Sequence, residues 1–410
     1  MTARNSRKKV CMVAYTKYES DGRVRRYAEA LAGRGDLVDV ISYTTGDLPM
    51  DVTQLNGVNV HHVFRREPEG PSKWAYVSRL VRFLLAATAR VAKLHRRDRY
   101  DVIHVHNPPD FMVFAAWYPK LTGAKVILDI HDIVPEFFVS KFGADPNGLS
   151  VKFTKLVEKV SVGMADHVIV SNHIWQETMI QRCVAREKSS VYVNHVDPAI
   201  FYRHTRTRND GKLIVIFPGS FQWHQGLDLA IDAFAIVKKR FPNAEFHLYG
   251  GGGNVAELLQ QIERLGLKES VIYFGSVSLD RIVDVVANAD LGVVPKRANS
   301  FGNEAYSTKI MEFMSQGVPV VASRTKIDTL YFDDSMIRFF ESGNIEELAK
   351  AMIEVLENPT LRASLIKEGY AYAERNGWER RKMEYLGLVD SLSAEKSAAA
   401  EPAVEREVAR

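Results

Sequence analysis

The chain of 410 residues contains only two cysteines, Cys11 and Cys183. Two cysteines cannot form the disulfide framework of a small secreted protein, and they fit a reducing compartment. Cys11 lies in an apolar run that predicts a buried strand, and Cys183 has no obvious histidine partner nearby in the sequence. The sequence therefore favours neither cysteine as a nucleophile.

Long hydrophobic runs are also missing. No apolar stretch reaches the roughly 18 residues that a membrane-spanning helix needs. The apolar run near the N-terminus, Cys11–Tyr15, is too short for the hydrophobic region of a signal peptide and continues into polar residues. We therefore expect a cytoplasmic protein.

The net charge is small, at +4, but it is unevenly distributed. Residues 1–100 hold 19 Lys and Arg against 10 Asp and Glu, a formal charge of +9. This imbalance predicts an anionic surface or ligand on that side of the protein. Hydrophobic content of 46% and charged content of 25% are typical of a soluble globular protein. The length allows two domains, since single cores rarely exceed about 250 to 300 residues.

Apolar strand patterns alternate with helical patterns along the chain, which predicts α/β domains with parallel sheets. One set of elements occupies residues 1–203, and a second set occupies 212–378. The polar segment 204–211 between them is the predicted linker. A helix is predicted over 379–392, and 393–410 has no apolar pattern, so we expect that tail to be disordered.

The most informative segment is NEAYSTKIMEFMSQGVPVVAS, residues 303–323, in which seven residues separate Glu304 from Glu312. A helix over 307–315 would place Thr308 and Glu312 on one face, with Glu304 in the preceding loop. Its N-terminus would attract an anion, and ionised carboxylates accept hydrogen bonds from hydroxyl groups. An anion joined to a polyol describes a nucleotide sugar. The alternative is that both glutamates are solvated surface residues.

This block resembles the E-x7-E signature of retaining glycosyltransferases with the GT-B fold, and it is most similar to glycosyltransferase family 4. The resemblance extends over about residues 8–385. It implies two Rossmann-like domains whose parallel sheets face each other across a cleft. The second domain binds the nucleotide sugar, the first lies on the acceptor side, and the helix over 379–392 crosses back to the first.

The resemblance also implies an activity. The enzyme would move a hexose from a nucleoside-diphosphate sugar to an acceptor hydroxyl with retention of configuration, in surface polysaccharide or glycolipid synthesis. It implies neither a cofactor nor a required metal. Two other classes stay open: a sugar-nucleotide epimerase of the same fold, and a non-catalytic partner that binds a nucleotide sugar.

The loop FPGSFQWHQG at the start of the second domain would let backbone N–H groups approach a phosphate. Many family members carry an Arg and a Lys here that contact the diphosphate, but this chain has Ser220 and Gln225 at the matching positions. We expect these two residues, with Gly219 and His224, to bind the donor through hydrogen bonds. Lys309 would supply the missing positive charge, unless it is an ordinary solvated lysine.

A run of glycines, 250–253, follows a predicted strand. It does not match a dinucleotide-binding fingerprint, but the corresponding family glycines lie near the nucleotide, so Gly250 and Gly251 are predicted donor-binding residues. The alternative is a flexible turn. In the family, the residues matching Glu312 hold the ribose and those matching Glu304 hold the transferred sugar. Thr308 is a further donor-binding candidate.

In the first domain, the loop YESDGR resembles the family's D-x-R-V stretch. Gly22 would let the backbone approach the donor, and Arg23 would offset charge on the diphosphate because a guanidinium stays protonated and can bind two oxygens. The alternative is that Asp21 and Gly22 form a helix cap and turn.

Polar residues also follow two strands of the first domain, and one group of them, DIHDIVPEFF, resembles the family's D-x-H-[DE] block. By that match His131 contacts the transferred sugar and is catalytic together with Glu304 and Lys309. The acceptor-side candidates are His106, Asp132 and Glu136. Histidines and aspartates in this pattern also raise a metal site, which we do not favour, and a buried core role for His131.

The segment 73–99 is rich in Lys and Arg, with aromatic and aliphatic residues between them. A basic amphipathic helix of this kind can lie on anionic lipid, which would suit a lipid-linked saccharide acceptor and a peripheral position at the inner face of the plasma membrane. The alternative is an ordinary surface helix. No nucleic-acid module is recognisable, so no nucleic-acid partner is predicted.

Overall fold

The structure is a computed structural model that describes residues 7–46, 50–66, 73–196, 200–202, 204–299 and 301–400. The chain forms two compact units: Met1–Val193 with Arg381–Arg410, and Asn194–Arg380. The division falls ten residues before the predicted linker 204–211, because Val196 and Phe201 already pack in the core of the second unit. Among the described residues, no helix combines the length and apolar character of a membrane span.

The first unit contains an eight-stranded sheet with the order β3-β4-β2-β1-β5-β6-β7-β8. Its strands are β1 (Lys9–Ala14), β2 (Leu37–Thr44), β3 (Val52–Leu55), β4 (Val58–Arg65), β5 (Val102–His106), β6 (Lys125–Ile130), β7 (His167–Val170) and β8 (Ser189–Val191). Strands β1, β2 and β5 are buried along almost their whole length, as expected where helices cover both faces of a parallel sheet. The pairing is parallel except at the edge, where β3 runs antiparallel to β4.

The helices of the first unit are α1 (Gly22–Gly33), α2 (Lys73–Asp98), α3 (Trp117–Leu121), α4 (Val134–Phe142), α5 (Leu149–Met164) and α6 (His173–Arg182). A 3₁₀ helix over Asp110–Ala116 precedes α3. Asp21 caps α1, since its side chain accepts hydrogen bonds from the backbone N–H groups of Arg23 and Val24, both at 3.1 Å. This cap satisfies N–H groups that have no partner within the helix.

The second unit contains a parallel six-stranded sheet with the order β11-β10-β9-β12-β13-β14. Its strands are β9 (Leu213–Ser220), β10 (Ala244–Gly251), β11 (Val271–Gly275), β12 (Leu291–Val294), β13 (Val320–Arg324) and β14 (Arg338–Glu341). Its helices are α7 (Leu227–Arg240), α8 (Val255–Arg264), α9 (Leu279–Ala287), α10 (Thr308–Gln316), α11 (Lys326–Tyr331), α12 (Ile345–Glu357) and α13 (Pro359–Arg375). Phe217, Phe234 and Phe246 are fully buried between the sheet and these helices.

The last helix, α14 (Trp378–Ala400), continues past the predicted end at residue 392. Residues 393–400, expected to be disordered, are helical because the segment is anchored to the first unit. Ser393 is buried, and the Lys396 ammonium contacts Asp101 at 2.9 Å. Earlier in the helix, the Tyr385 hydroxyl lies 2.9 Å from His104 Nδ1. Residues 401–410 of the predicted tail lie outside the described residues.

Candidate active site

A cavity of about 450 Å³ in the second unit lies where β9, β10 and β11 end and α10 begins. This is the edge at which parallel α/β sheets usually bind ligands. Seven predicted residues line it: Gly219, Ser220, Gly250, Gly251, Thr308, Lys309 and Glu312. The segments that carry them are far apart in the sequence, and the parallel order of the strands brings them together.

Two glycines allow the strand ends to approach closely. Gly250 pairs with Gly219 in the register of β9 and β10, and their φ angles are +129° and +130°. A Cβ atom on residue 250 would overlap the carbonyl oxygen of Gly219, and one on residue 219 would lie 2.7 Å from Lys309 Cε. Backbone atoms therefore form the cavity wall here, and the absence of a side chain at Gly219 leaves room for Lys309.

Lys309 extends over Gly219 from the first turn of α10. Its ammonium donates a hydrogen bond to Gln225 Oε1 at 2.9 Å and lies 5.1 Å from the ring centre of Phe217. The pKa of Lys309 is lowered to about 8, mainly by burial; Glu312 opposes this shift and nearby Lys296 adds to it. An ammonium that is poorly solvated in this way gains more from an incoming anion than a solvated lysine would.

His224 and Gln225 lie beside the cavity and form part of a polar chain that ends at Lys309. The Gln225 amide nitrogen is 3.0 Å from His224 Nε2, and the Gln225 oxygen accepts from Lys309. Burial, with the charges of Lys309 and Lys296, lowers the pKa of His224 to about 4, so this imidazole is neutral at pH 7. The geometry gives Gln225 a part in orienting Lys309, which the sequence did not indicate.

The N-terminus of α10 faces the same cavity, because Thr308 and Lys309 both line it. Ser307 precedes the helix but makes no capping hydrogen bond, and its buried hydroxyl oxygen has no partner. The first N–H groups of a helix carry partial positive charge and attract anions. Glu312 lies one turn further along and also lines the cavity, so the anion-attracting end and a carboxylate share one space.

Glu304 lies outside the residues that line this cavity. Its carboxylate forms an ion pair with Lys326 at 3.1 Å. The loop that carries Glu304 is fixed by the buried Lys296. The Lys296 ammonium donates to the carbonyl oxygen of Ala305 and contacts Asp328, each at 2.8 Å. The two glutamates of the signature are therefore held differently, with Glu312 in the cavity and Glu304 in a tethered loop.

Part of the cavity wall was not predicted from the sequence. The unpredicted lining comes from the ends of β9 and β10, the segment from β11 into α9, and one residue near the start of the unit: Phe201, Pro218, Tyr249, Ser276, Val277, Leu279 and Ile282. Tyr249 stacks on Phe274 with ring centres 4.6 Å apart. The available signal was positional, since β11 is a third parallel strand whose end must open at the same edge.

The first unit has its own cavity, of about 250 Å³, at the ends of β1 and β5. His106 and His131 line it, as do Asp21 and Arg66. Burial would raise the pKa of Asp21, but His131 and the capping hydrogen bonds outweigh it and lower that pKa. Aromatic rings complete the wall, including Tyr15 and Tyr76. A cavity with charged groups of both signs and aromatic faces suits a polar ligand with an apolar face.

Arg23 differs from the sequence-based prediction. Its guanidinium is buried and binds both carboxylate oxygens of Asp129, at 2.7 and 3.0 Å, and it donates to the carbonyl oxygen of Tyr192 at 2.8 Å. Burial would lower the pKa of Arg23, but Asp129 raises it. The side chain therefore holds the first unit together and does not line the described cavities. Gly22 was predicted to let the backbone approach the donor. In the structure it is the first residue of α1, and a Cβ atom there would meet nothing closer than 3.9 Å, so the local packing does not require a glycine.

Asp129 is also the centre of a histidine cluster. His106 Nδ1 and His131 Nε2 lie 3.2 and 3.1 Å from the same Asp129 oxygen, and His104, His106 and Asp129 could in principle share a metal ion. The residues do not fit one, because the Arg23 guanidinium already occupies both oxygens of Asp129. Burial lowers the pKa of His106 and of His104, so both imidazoles stay neutral.

The other two acceptor-side candidates, Asp132 and Glu136, are not among the residues that line the first unit's cavity. Asn107 fixes the backbone at Asp132, accepting from its N–H at 3.3 Å and donating to its carbonyl oxygen at 2.7 Å. Burial raises the pKa of Asp132. Glu136 is paired with Arg182, which also binds Glu158 at 2.9 Å. Glu136 is thus part of an ion-pair network between helices.

Comparison with known proteins agrees with this geometry. Residues 22–194 match the family model described as glycosyl transferase 4-like domain, and residues 200–372 match the model described as glycosyl transferases group 1. The chain therefore belongs to the group 1, or family 4, glycosyltransferases, and it is a glycosyltransferase with the GT-B fold. The family match does not favour a sugar-nucleotide epimerase.

Relatives extend over nearly the whole chain. D-inositol 3-phosphate glycosyltransferase of Acidothermus cellulolyticus is 26% identical over 400 residues, 92% of this chain and 86% of the relative. Among solved structures, sucrose-phosphate synthase from Thermosynechococcus elongatus superposes with a TM-score of 0.78 at 20% identity, covering 95% of this chain and all of that chain. The Anabaena protein HepE in complex with UDP-glucose superposes with a TM-score of 0.69 at 19% identity. The superposition covers 93% of this chain and 99% of that chain.

Proposed function

We propose that this glycosyltransferase moves a sugar from a nucleoside-diphosphate sugar to an acceptor hydroxyl with retention of configuration, in the synthesis of a surface polysaccharide or glycolipid. The observation that carries the proposal is the position of Lys309. This side chain extends from the first turn of α10 over Gly219, near the end of β9, and carries a poorly solvated ammonium in a cavity that Glu312 also lines. A similar solved structure contains UDP-glucose, a nucleoside-diphosphate sugar, which supports the proposal.

Each part of the donor has a chemical counterpart in the cavity. Lys309 and the N–H groups at the start of α10 hold the diphosphate. The backbone around Gly219 and Gly250 contributes further N–H groups, and the Ser220 hydroxyl can donate another hydrogen bond. Glu312 accepts hydrogen bonds from the ribose hydroxyls. Tyr249 and the segment after β11 supply the apolar wall of the cavity.

The reaction needs little covalent help from the protein. The bond between the anomeric carbon and the diphosphate oxygen breaks, and the acceptor oxygen bonds to that carbon from the same face. The acceptor's proton passes to the departing phosphate oxygen. Lys309 and the α10 N-terminus stabilise the negative charge that develops on the leaving group, and a contact of this kind contributes about 10²–10³ in rate.

We further propose that the donor is held without a metal or cofactor. Lys309 provides the positive charge that a divalent cation would otherwise supply. The His104–His106–Asp129 cluster in the first unit does not provide an alternative, since Arg23 neutralises Asp129 there.

The acceptor is assigned to the cavity of the first unit. His131 and His106 offer ring nitrogens for a hydroxyl, and Asp21 and Arg66 offer charges of both signs. His131 would contact the transferred sugar, as would Glu304, whose hydroxyl-binding role is carried by the family resemblance. The name of one relative, D-inositol 3-phosphate glycosyltransferase, supports a polar acceptor.

For location, we infer a cytoplasmic protein that contacts an anionic membrane surface through the segment 73–99. In the described part of α2, Val77, Val81 and Leu85 are exposed, and Arg82 is exposed beside them. This supports a face on which apolar and basic groups occur together.

A thermal-shift series with nucleoside diphosphates tests the donor assignment. A ligand that binds only the folded protein, at a concentration of about 100 times its Kd, adds about 2.7 kcal/mol of stability and raises the melting temperature.

The variant Glu312→Ala tests the ribose assignment. We expect it to raise the donor KM about tenfold, the effect of losing a hydrogen bond to a charged group. Glu263→Ala, on the exposed surface of α8, is the matched control. If Glu312→Ala retains the wild-type donor KM, the ribose assignment is wrong.

A further inference from the structure

The helix α5 carries a line of large apolar side chains in water. Leu149, Phe153, Leu156 and Val160 are 84%, 65%, 57% and 51% exposed. Their spacing of four, three and four residues places all of them on one narrow stripe along the helix. Single exposed apolar residues need no explanation, but an aligned set of this size marks an interaction surface.

The exposed charges that α5 itself places beside this stripe all have one sign. Lys152, Lys155 and Lys159 are exposed and lie along one flank of the stripe, because each precedes a stripe residue by one position. The one acidic residue of α5, Glu158, faces inward, where Arg182 Nη1 donates to both of its carboxylate oxygens at 2.9 Å. The exposed face of α5 is thus apolar and cationic, with no negative charge.

The stripe is not a part of the core that happens to be uncovered. The opposite side of α5 is the one that packs, since Val151, Ser161 and Val162 are buried there. It contacts α4 and the 3₁₀ helix over Asp110–Ala116. Folding of the first unit therefore does not require large apolar side chains at the four stripe positions.

We propose that the exposed face of α5 docks the protein on an anionic lipid bilayer. The stripe would enter the boundary between headgroups and acyl chains, and the lysines would lie at the level of the lipid phosphates. The charge pattern favours lipid over a second copy of the chain. Two copies that joined stripe to stripe would bring six lysines together with no exposed carboxylate of α5 to pair with them.

The α5 face adds to the surface of α2 and does not replace it. Both helices pack against the 3₁₀ helix over Asp110–Ala116. The stripe of α5 is longer and more exposed than the apolar set of α2. This inference rests on the proposed function only in its purpose, which is to bring the acceptor cavity to a lipid-linked saccharide, and the docking itself is measurable without sugar transfer.

Sedimentation with vesicles tests the docking on the full chain. We expect binding to vesicles of equal parts phosphatidylglycerol and phosphatidylcholine at low salt, and much weaker binding to phosphatidylcholine alone or at 1 M salt. The double variant Phe153→Ser/Leu156→Ser should lower the partition coefficient about 100-fold, from the loss of two buried apolar groups. Changing Lys152, Lys155 and Lys159 to Gln should lower it by a similar factor, about fivefold for each lysine.

Two further pairs serve as controls. Leu259→Ser/Leu265→Ser removes exposed apolar residues from the second unit and should leave binding unchanged. Val81→Ser/Leu85→Ser, in α2, should reduce binding less than the α5 pair. The proposal fails if the α5 variants bind like the wild type, if only the α2 pair loses binding, or if light scattering shows a dimer that the α5 pair dissociates.

Calorimetry with nucleoside diphosphates on the same proteins keeps the two proposals separate. The α5 variants should bind the nucleotide as the wild type does, because the stripe belongs to the first unit and none of its residues lines the second unit's cavity. Absence of nucleotide binding in the wild type would count against the proposed function, whereas loss of vesicle binding with intact nucleotide binding concerns only the docking surface.

Discussion

The two units handle polar groups in opposite ways. In the first unit, Arg23, Asp129 and the histidines next to it bind one another, so their charges and hydrogen bonds are largely used within the fold. In the second unit, the described residues that line the cavity are mainly glycines and apolar side chains, with one cation, Lys309, and one carboxylate, Glu312. The cluster with many titratable residues therefore has a largely structural role, and the sparser cavity is the better candidate for binding an anionic donor.

The reason for this difference is energetic. A buried charge without a partner is costly, so several ionisable groups placed together inside a protein must neutralise one another. A site that must receive an anion needs donors that are not already satisfied by side chains, and backbone N–H groups at strand ends and helix N-termini meet that need. The experiments below test this division between the units.

The largest effect is expected where β9 and β10 pair at Gly219 and Gly250. Gly250→Ala would place a methyl group against the carbonyl oxygen of Gly219 at a φ angle that L-residues rarely adopt. We expect the free energy of unfolding to fall by about 4–5 kcal/mol, with loss of nucleotide binding, as measured by thermal denaturation and calorimetry. Gly253→Ala is the control, because nothing lies within 4 Å of a Cβ there. Equal effects of the two changes would refute the close-approach argument.

Arg23 tests the structural reading of the first unit. Arg23→Ala removes the cation that pairs with the buried Asp129 carboxylate, and we expect a loss of about 3–5 kcal/mol of stability. Arg25→Ala removes a partly exposed ion pair with Glu29 and should cost less than about 1 kcal/mol. Unfolding in urea measures both. If Arg23→Ala unfolds like the wild type but has a higher donor KM, Arg23 binds the diphosphate and the structural reading is wrong.

Lys309 tests the sparse cavity. Lys309→Met keeps the length of the side chain and removes its charge, so we expect kcat to fall about 10²–10³-fold with little change in melting temperature. Lys268→Met, in an exposed pair with Glu263, should have wild-type kinetics. Steady-state rates with the donor that the thermal-shift series identifies give the result. A normal kcat in Lys309→Met would require another source of positive charge.

The pH dependence is a smaller effect on the same residue. Burial places the pKa of Lys309 at about 8, and only its cationic form stabilises the leaving diphosphate. Activity is therefore full below this pKa, and kcat/KM should fall about tenfold for each pH unit above it. Lys309→Arg keeps the charge at high pH and should remove this decline. A wild-type profile that stays flat from pH 7 to 10 would contradict the role.

Local sequence patterns predicted well the helices and strands that form the cavity of the second unit. The helix expected over 307–315 is present as Thr308–Gln316, one residue later, because apolar periodicity and the glycine after it are local signals. The alternation of strands and helices likewise indicated parallel sheets. The antiparallel edge strand β3 and the helix over 393–400 were missed, since the first depends on a neighbouring strand and the second on contacts with the first unit.

Periodicity was sufficient for the α/β fold class, because it is encoded locally. The resemblance of local motifs to a known family indicated the family and seven residues that line one cavity. Tertiary contacts alone extended β9 and β10 through Gly219 and Gly250, residues with low strand propensity that are held there by pairing with each other. They also placed Arg23 against Asp129, 106 residues away. Which charges remain available to a ligand depends on such distant partners, and no local pattern contains them.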